Sequence, residues 1–230
     1  AGLSAYAAPL GMLEAGADTF AGQIPTILKV NSANSLMGAH KDQAITATVS
    51  DAVRLGCAAV GFTIYPGSDS QLNMYEEIAE MRREAAAQGI ATVIWSYPRG
   101  PAITKDGETA IDVAAYGAQI AALLGAHILK IKLPSDHVMQ DKAVYAQENI
   151  DISTQSARVR HCVQAAFAGR RIVIFSGGAA KGVDAVYDDA RAIRDGGGHG
   201  SIIGRNAFQR PRAEALEMLA KLVAIYQGEV

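Results

Sequence analysis

Two lysines stand two residues apart in the apolar run GAHILKIKLP, residues 125–134. Residues i and i+2 of a strand point to the same face, so Lys130 and Lys132 share one side while Leu129, Ile131 and Leu133 fill the other. Buried charge is costly, and two amines are an unusual filling for a core. Their α-carbons would lie roughly 7 Å apart. Like charge and desolvation both lower an amine's pKa. A lysine made neutral in this way attacks carbonyls to form a Schiff base, and the iminium is an electron sink for breaking a neighbouring C–C bond. The alternative is an amine neutralised by a carboxylate that only fills space. Strand position by itself does not choose between Lys130 and Lys132.

The preceding apolar run, IATVIWSYPRG, places Val93, Trp95 and Tyr97 on one face. A strand that turns Trp and Tyr the same way near its C-terminal end lines a cavity or packs a core. In a cavity, Trp95 would shape the pocket and Tyr97 could move a proton. Arg99, just beyond, stands where a strand-to-helix loop would meet an anionic substrate; a surface arginine is the plainer reading. Two further stretches suit phosphate. IVIFSGG ends a strand with Ser176, Gly177 and Gly178, and SIIGRNAFQRP ends the next with Gly204 and Arg205. Glycines let backbone amides approach an anion, and an arginine adds a charged fork. Lys29 and Asn31 in TILKVNS alternate like the lysine pair and are expected to face the same interior. In GFTIYPGSDS, the residues Tyr65, Ser68 and Asp69 fit turn chemistry and substrate contact equally.

These groups need a scaffold that gathers strand ends. Strand-like runs at Leu3–Ala7, Thr26–Asn31, Ala58–Tyr65, Ala91–Tyr97, His127–Leu133, Arg171–Ser176 and Ser201–Gly204 alternate with helical patterns. The helices are expected at Asp42–Leu55, Ser70–Gln88, Thr109–Leu124, Thr154–Ala168, Asp184–Asp195 and Arg212–Tyr226. Gly56, Gly89, Gly125 and Gly169 fall where a helix C-terminus needs glycine. The unit recurs about every 30 residues, and strict βα alternation implies a parallel sheet in a single domain over residues 1–230. A doubly wound sheet and a closed barrel both fit. Barrel active sites lie at the C-terminal strand ends, with phosphate held by the last two loops. Seven runs are present where a (β/α)8 barrel has eight. The polar segment Ser135–Ser153 is too long for an ordinary connection and reads as a lid, a subunit contact or a surface excursion.

Composition narrows the partners. The net charge of −2 gives no electrostatic footprint for nucleic acid or an acidic membrane. No run of 18 or so apolar residues suggests a membrane span. The two cysteines, Cys57 and Cys162, have no C-x-x-C spacing, which fits a reducing cytoplasm. The histidines His40, His127, His137, His161 and His199 show no metal-ligand spacing, so neither a metal nor a cofactor is expected.

The stretches IPTILKVN, AAVGFTIYPGS, ATVIWSYPRG, HILKIKLP, IFSGG and GRNAFQRP, in order along nearly the whole chain, resemble the DhnA-type class I fructose-bisphosphate aldolases of bacteria and archaea. The resemblance implies a (β/α)8 TIM barrel and a lyase of glycolysis and gluconeogenesis. It puts the Schiff-base lysine on Lys130, the proton-transferring tyrosine on Tyr97 and its companion tryptophan on Trp95. It puts phosphate binding on Ser176, Gly177, Gly178, Gly204 and Arg205. Arg99 and Lys132 are added as substrate contacts. The implied partner is a sugar phosphate, and the implied assembly is a homo-oligomer, as large as a decamer. One departure stands out: the family's first strand ends in an Asp-His-Gly motif, which is absent here. Strand one is therefore expected to be missing from this sequence, leaving Leu3–Ala7 and Ser201–Gly204 as two unpaired edges. The alternatives are a related Schiff-base aldolase or thiolase on another sugar phosphate, or a sugar-phosphate-binding barrel without catalysis.

Overall fold

Strands that are covered on both sides must be apolar on both faces. The run Ala59–Ile64 meets this fully, being buried at all six positions. The computed structural model describes residues 2–34, 36, 41–178 and 181–230. Its strands are β1 (Tyr6–Pro9), β2 (Thr26–Lys29), β3 (Asn31–Ser32), β4 (Ala44–Ile45), β5 (Ala59–Ile64), β6 (Ala91–Ser96), β7 (Ile128–Lys132), β8 (Ile172–Ser176) and β9 (Gly200–Ile202). Seven of them form one sheet in the order β1-β2-β5-β6-β7-β8-β9. Every neighbouring pair in it is parallel.

The two faces of this sheet are distinct. One packs Leu28, Val60, Phe62, Ile94, Leu129, Ile131, Val173 and Phe175 against the helices Gln71–Ala87, Ile111–Leu123, Gln155–Ala165 and Val183–Asp195. The other gathers Ile27, Ala59, Val93 and Trp95 into a single cluster, flanked by Ala7, Tyr97, Ile128 and Ile202. Residues of β1 and β9 meet at that cluster although they are the first and last strands. The sheet is therefore curled into a barrel with helices outside, and the doubly wound alternative is excluded. Among the described residues, β1 and β9 are the two edges and do not pair with each other.

The strand and helix positions follow the sequence reading closely, with instructive differences. The expected helix Asp42–Leu55 is only Val49–Arg54, and its first residues include β4, which pairs with β3. The cause is a capping box: the Thr48 hydroxyl accepts from the Asp51 amide, and Asp51 accepts from the Thr48 amide. The first strand is Tyr6–Pro9 rather than Leu3–Ala7, and short helices Leu10–Ala15 and Ala17–Phe20 follow it. Gly56, Gly89, Gly125 and Gly169 all have positive φ at helix ends, as the sequence pattern requires. His127 and His199 accept backbone amides of Thr92 and Val173 through Nδ1, which fixes neighbouring strand starts. His40 lies outside the described residues. Among those residues no helix is long and apolar enough to cross a membrane.

The segment 135–153 is a fixed outer layer with its own helix, Lys142–Gln147. Val138 and Tyr145 are buried. Asp112, buried in the first turn of the helix Ile111–Leu123, accepts the amides of Met139 (3.1 Å), Gln140 (2.7 Å) and Asp141 (3.1 Å). Tyr145 Oη bonds His161 Nε2 at 2.8 Å. These contacts hold the segment against the helices Ile111–Leu123 and Gln155–Ala165. Burial works to raise the Asp112 pKa, but the Gln140, Met139 and Asp141 amides outweigh it and hold the carboxyl below its ordinary value. A depressed folded pKa gives stability that is complete above the unfolded pKa and lost as pH falls through the folded one. Asp112→Ala should therefore cost about 2–4 kcal/mol in urea unfolding at neutral pH, by stranding these buried amides. The difference from wild type should shrink on acidification.

Candidate active site

In parallel register, paired residues of neighbouring strands lie on the same face. Trp95 pairs with Lys130, Lys130 with Ile174, and Lys132 with Ser176. Trp95 belongs to the interior cluster, so both lysines and Ser176 face the barrel interior. The outward alternates Leu129 and Ile131 lie in the helix-side core.

The two amines have different surroundings. Lys132 Nζ is 2.7 Å from Glu108 Oε2. Lys130 is 9% exposed, and its Nζ sits 5.8 Å from the centroid of the Tyr97 ring. Among the described residues no carboxylate is within ion-pair distance of it. Burial lowers the Lys130 pKa to about 8. Lys29, also facing inward, is lowered to about 8 by burial. Its amine is occupied, donating to the carbonyl of Asn31 and, at 3.2 Å, to Gln43 Oε1. Asn31 in turn bridges to the Thr63 backbone through both side-chain atoms. Burial pushes the Tyr97 phenol well above the usual tyrosine range, with Arg99 opposing and Tyr65 adding. Tyr97 thus keeps its proton at neutral pH and can donate it.

Trp95 has its place because of a residue that the sequence reading passed over. Gly61 pairs with Val93 on the interior face, and a β-carbon there would lie 2.0 Å from Trp95 Cζ3. The indole lies over a bare backbone. A glycine inside an otherwise apolar strand was the available signal. The loops after β5 and β6 meet just as closely: a β-carbon on Gly100 would be 1.7 Å from the Gly67 oxygen, and Arg99 N donates to Pro66 O at 2.9 Å. This contact sets Arg99 over the Tyr65 ring at 5.4 Å and its Nε 3.7 Å from Glu108 Oε2. Tyr65 Oη accepts from Gln43 Nε2 at 2.8 Å. Tyr65 and Arg99 are thus parts of one polar rim.

The last two strand ends are joined as well. Arg205 Nη2 donates to Gly178 O at 3.2 Å, and Asn206 Nδ2 donates to Gly177 O at 2.8 Å. Asn206 Oδ1 accepts from Lys181 N, so this buried amide ties both loops together. Gly177 N is engaged by Ile202 O, which makes the Gly177 amide a sheet donor. Residues 179 and 180 lie outside the described residues. Ser176, Gly177, Gly178, Gly204 and Arg205 are thus neighbours, while Ser176 also adjoins Lys132 across the sheet. Glu108, Gln43 and Asn206 carried no local sequence signal, since each acts on residues distant in the chain. Among the described residues, no three His, Cys, Asp or Glu side chains cluster as metal ligands would.

Known proteins resemble this arrangement. Residues 1–210 match the DeoC/LacD family aldolases. The class 1 fructose-bisphosphate aldolase of Thermoproteus tenax is 33% identical over 208 residues, covering 90% of this chain and 70% of that protein. The crystal structure of an archaeal fructose 1,6-bisphosphate aldolase superposes with a TM-score of 0.81 at 31% identity, over 96% of this chain and 77% of that one. A second archaeal structure has its catalytic lysine covalently bound to the carbinolamine intermediate of the substrate. It matches with a TM-score of 0.80 at 30% identity, over the same shares.

The contact between Gly61 and Trp95 is directly testable, because Trp95 is the sole tryptophan. Gly61→Ala should shift the tryptophan emission and lower kcat/KM by about tenfold or more, through displaced packing beside Lys130. Unchanged emission would mean the indole does not rest on this glycine.

Proposed function

The chain belongs to the DeoC/LacD family of aldolases, and from that premise we propose that it is a class I fructose-bisphosphate aldolase working through a Schiff base on Lys130. One observation carries the choice of nucleophile: of two lysines on one strand face, Lys132 has a carboxylate at 2.7 Å, and Lys130 is buried with none in ion-pair reach among the described residues. A lysine close to losing its proton near neutral pH has a lone pair for a ketone.

The proposed reaction begins at Lys130. The Lys130 amine adds to the C2 carbonyl of fructose 1,6-bisphosphate, and loss of water from the carbinolamine leaves an iminium. As C3–C4 breaks, water takes the C4 hydroxyl proton, glyceraldehyde 3-phosphate leaves, and the bonding pair moves into the iminium to give an enamine. Tyr97, kept protonated by burial, gives its proton to the enamine carbon and regains one from solvent. Water then hydrolyses the new iminium and frees dihydroxyacetone phosphate and the lysine. Trp95 walls the pocket beside Lys130. Ser176, Gly178, Gly204 and Arg205 hold a phosphate where the last two loops of such barrels commonly do, and Gly177, whose amide and carbonyl are engaged by Ile202 and Asn206, shapes the loop rather than binding through its backbone. Arg99 and Lys132 present further positive charge at the ends of β6 and β7. We read residues 1–230 as one barrel domain that works in the cytoplasm as a homo-oligomer. The shared interior cluster supports the first part, and the two buried, unpaired cysteines fit a reducing compartment.

Borohydride reduction in the presence of dihydroxyacetone phosphate should leave a stable adduct that peptide mapping locates on Lys130. Lys130→Ala should abolish turnover and retain phosphate-ester binding, because the two depend on different strand ends. An active preparation that yields no adduct would exclude the Schiff base. The iminium does the work that a metal does in the other aldolase class. Activity should therefore survive exhaustive chelation, and loss on EDTA with rescue by zinc would contradict this chemistry.

A further inference from the structure

Two amines stand on the same inward strand face, and a ketone held against it could meet either. Glu108, on the turn Gly107–Thr109, is the carboxylate that distinguishes them. Its side chain is 12% exposed, with Oε2 2.7 Å from Lys132 Nζ and 3.7 Å from Arg99 Nε. Lys105 Nζ, an exposed amine, reaches Oε1 at 3.2 Å. The turn itself is fixed. Gly107 N donates to Thr104 Oγ1 at 3.0 Å, and a β-carbon on Gly107 would be 2.3 Å from Met139 Sδ. Met139 belongs to the outer segment anchored on Asp112. A carboxylate held this firmly against Lys132 engages that amine in a short ion pair and so ties up its approach to a ketone.

We propose that Glu108 is a positioning residue that selects the nucleophile: by holding Lys132 in an ion pair, it leaves Lys130 as the amine on that face free to attack a ketone. The inference rests on the Lys130 Schiff base put forward above. It also accounts for the turn's placement, since Glu108 is brought to Lys132 from 24 residues away and, apart from the exposed Lys105, its ion-pair partners among the described residues are the half-buried Arg99 and Lys132. Burial works to raise the Glu108 pKa, but the Lys132 hydrogen bond and charge, with Lys105 and Arg99, together outweigh it and hold the carboxyl below its ordinary value. Glu108 is therefore ionised at neutral pH.

The test is where the adduct forms. Full-length Glu108→Gln, trapped with dihydroxyacetone phosphate and borohydride, should carry about a tenth or more of its adduct on Lys132, because the unpaired amine now loses its proton more easily. Adding Lys132→Met should return all of it to Lys130, and Glu108→Asp should restore the wild-type distribution at least in part. An adduct confined to Lys130, or lost altogether, in folded Glu108→Gln overturns the proposal. Should that variant fail to fold, reductive methylation of the wild-type protein near pH 8 with formaldehyde and cyanoborohydride gives an independent answer. Lys130 should react about tenfold faster than Lys132 although it is the less exposed, because the free amine is the reactive form. Equal or reversed rates overturn the proposal. A wild-type sugar-phosphate adduct found on Lys132 would instead defeat the Lys130 reading itself.

Discussion

A buried amine with no carboxylate in ion-pair reach among the described residues is the constraint around which this structure is arranged. Water solvates an ammonium far better than a protein interior does, so a strand that buries a lysine must pair it or let its pKa fall. Here β7 does both at once, two residues apart. Lys132 meets Glu108, while Lys130 meets aromatic surface and aliphatic neighbours. The result is chemical asymmetry between two identical side chains on one face, and it costs some stability at neutral pH in return for reactivity.

The rest of the fold keeps that asymmetry in place. Parallel strands buried on both sides fix the direction of every inward side chain, so Trp95, Lys130 and Ile174 stand in one row. Glycines provide clearance at two points where side chains would collide. Gly61 leaves room for the indole, and Gly100 lets the loops after β5 and β6 touch so that Arg99 reaches Tyr65 and Glu108. The segment 135–153 acts from outside. Asp112 pins it, and its Met139 sulfur packs on the turn that carries Glu108. A contact on the outer surface of the barrel is therefore linked through one short turn to the ion pair of a lysine inside it.

Much of this was legible from the residues, for a physical reason. Period-2 alternation within a strand fixes which side chains share a face, so the inward placement of Trp95, Tyr97, Lys130 and Lys132 needed no structure. βα alternation gave the parallel sheet, and the helix-terminal glycines marked the boundaries. Three things lay beyond that reach. The helix starting at Val49 was placed too early, because the hydrophobic pattern extends past the Thr48–Asp51 capping box that sets its start. The helix Lys142–Gln147 was hidden in a polar stretch, because its stability comes from Tyr145 and from Asp112 rather than from its own pattern. Glu108, Gln43 and Asn206 could not be found at all. Each acts across a long sequence separation, and a single polar residue in a loop looks the same whether it meets solvent or a buried amine.

Reactivity at this site depends first on the protonation of Lys130. A side-chain NMR titration of the lysine amines in the free enzyme, with the Lys130 resonance assigned by its absence in Lys130→Ala, measures it without any substrate. A midpoint near 8 is the value expected for an amine buried without a carboxylate. A midpoint at the ordinary 10.5 would mean that Lys130 is as well stabilised as a lysine in water, and would contradict the claim that burial prepares it for attack.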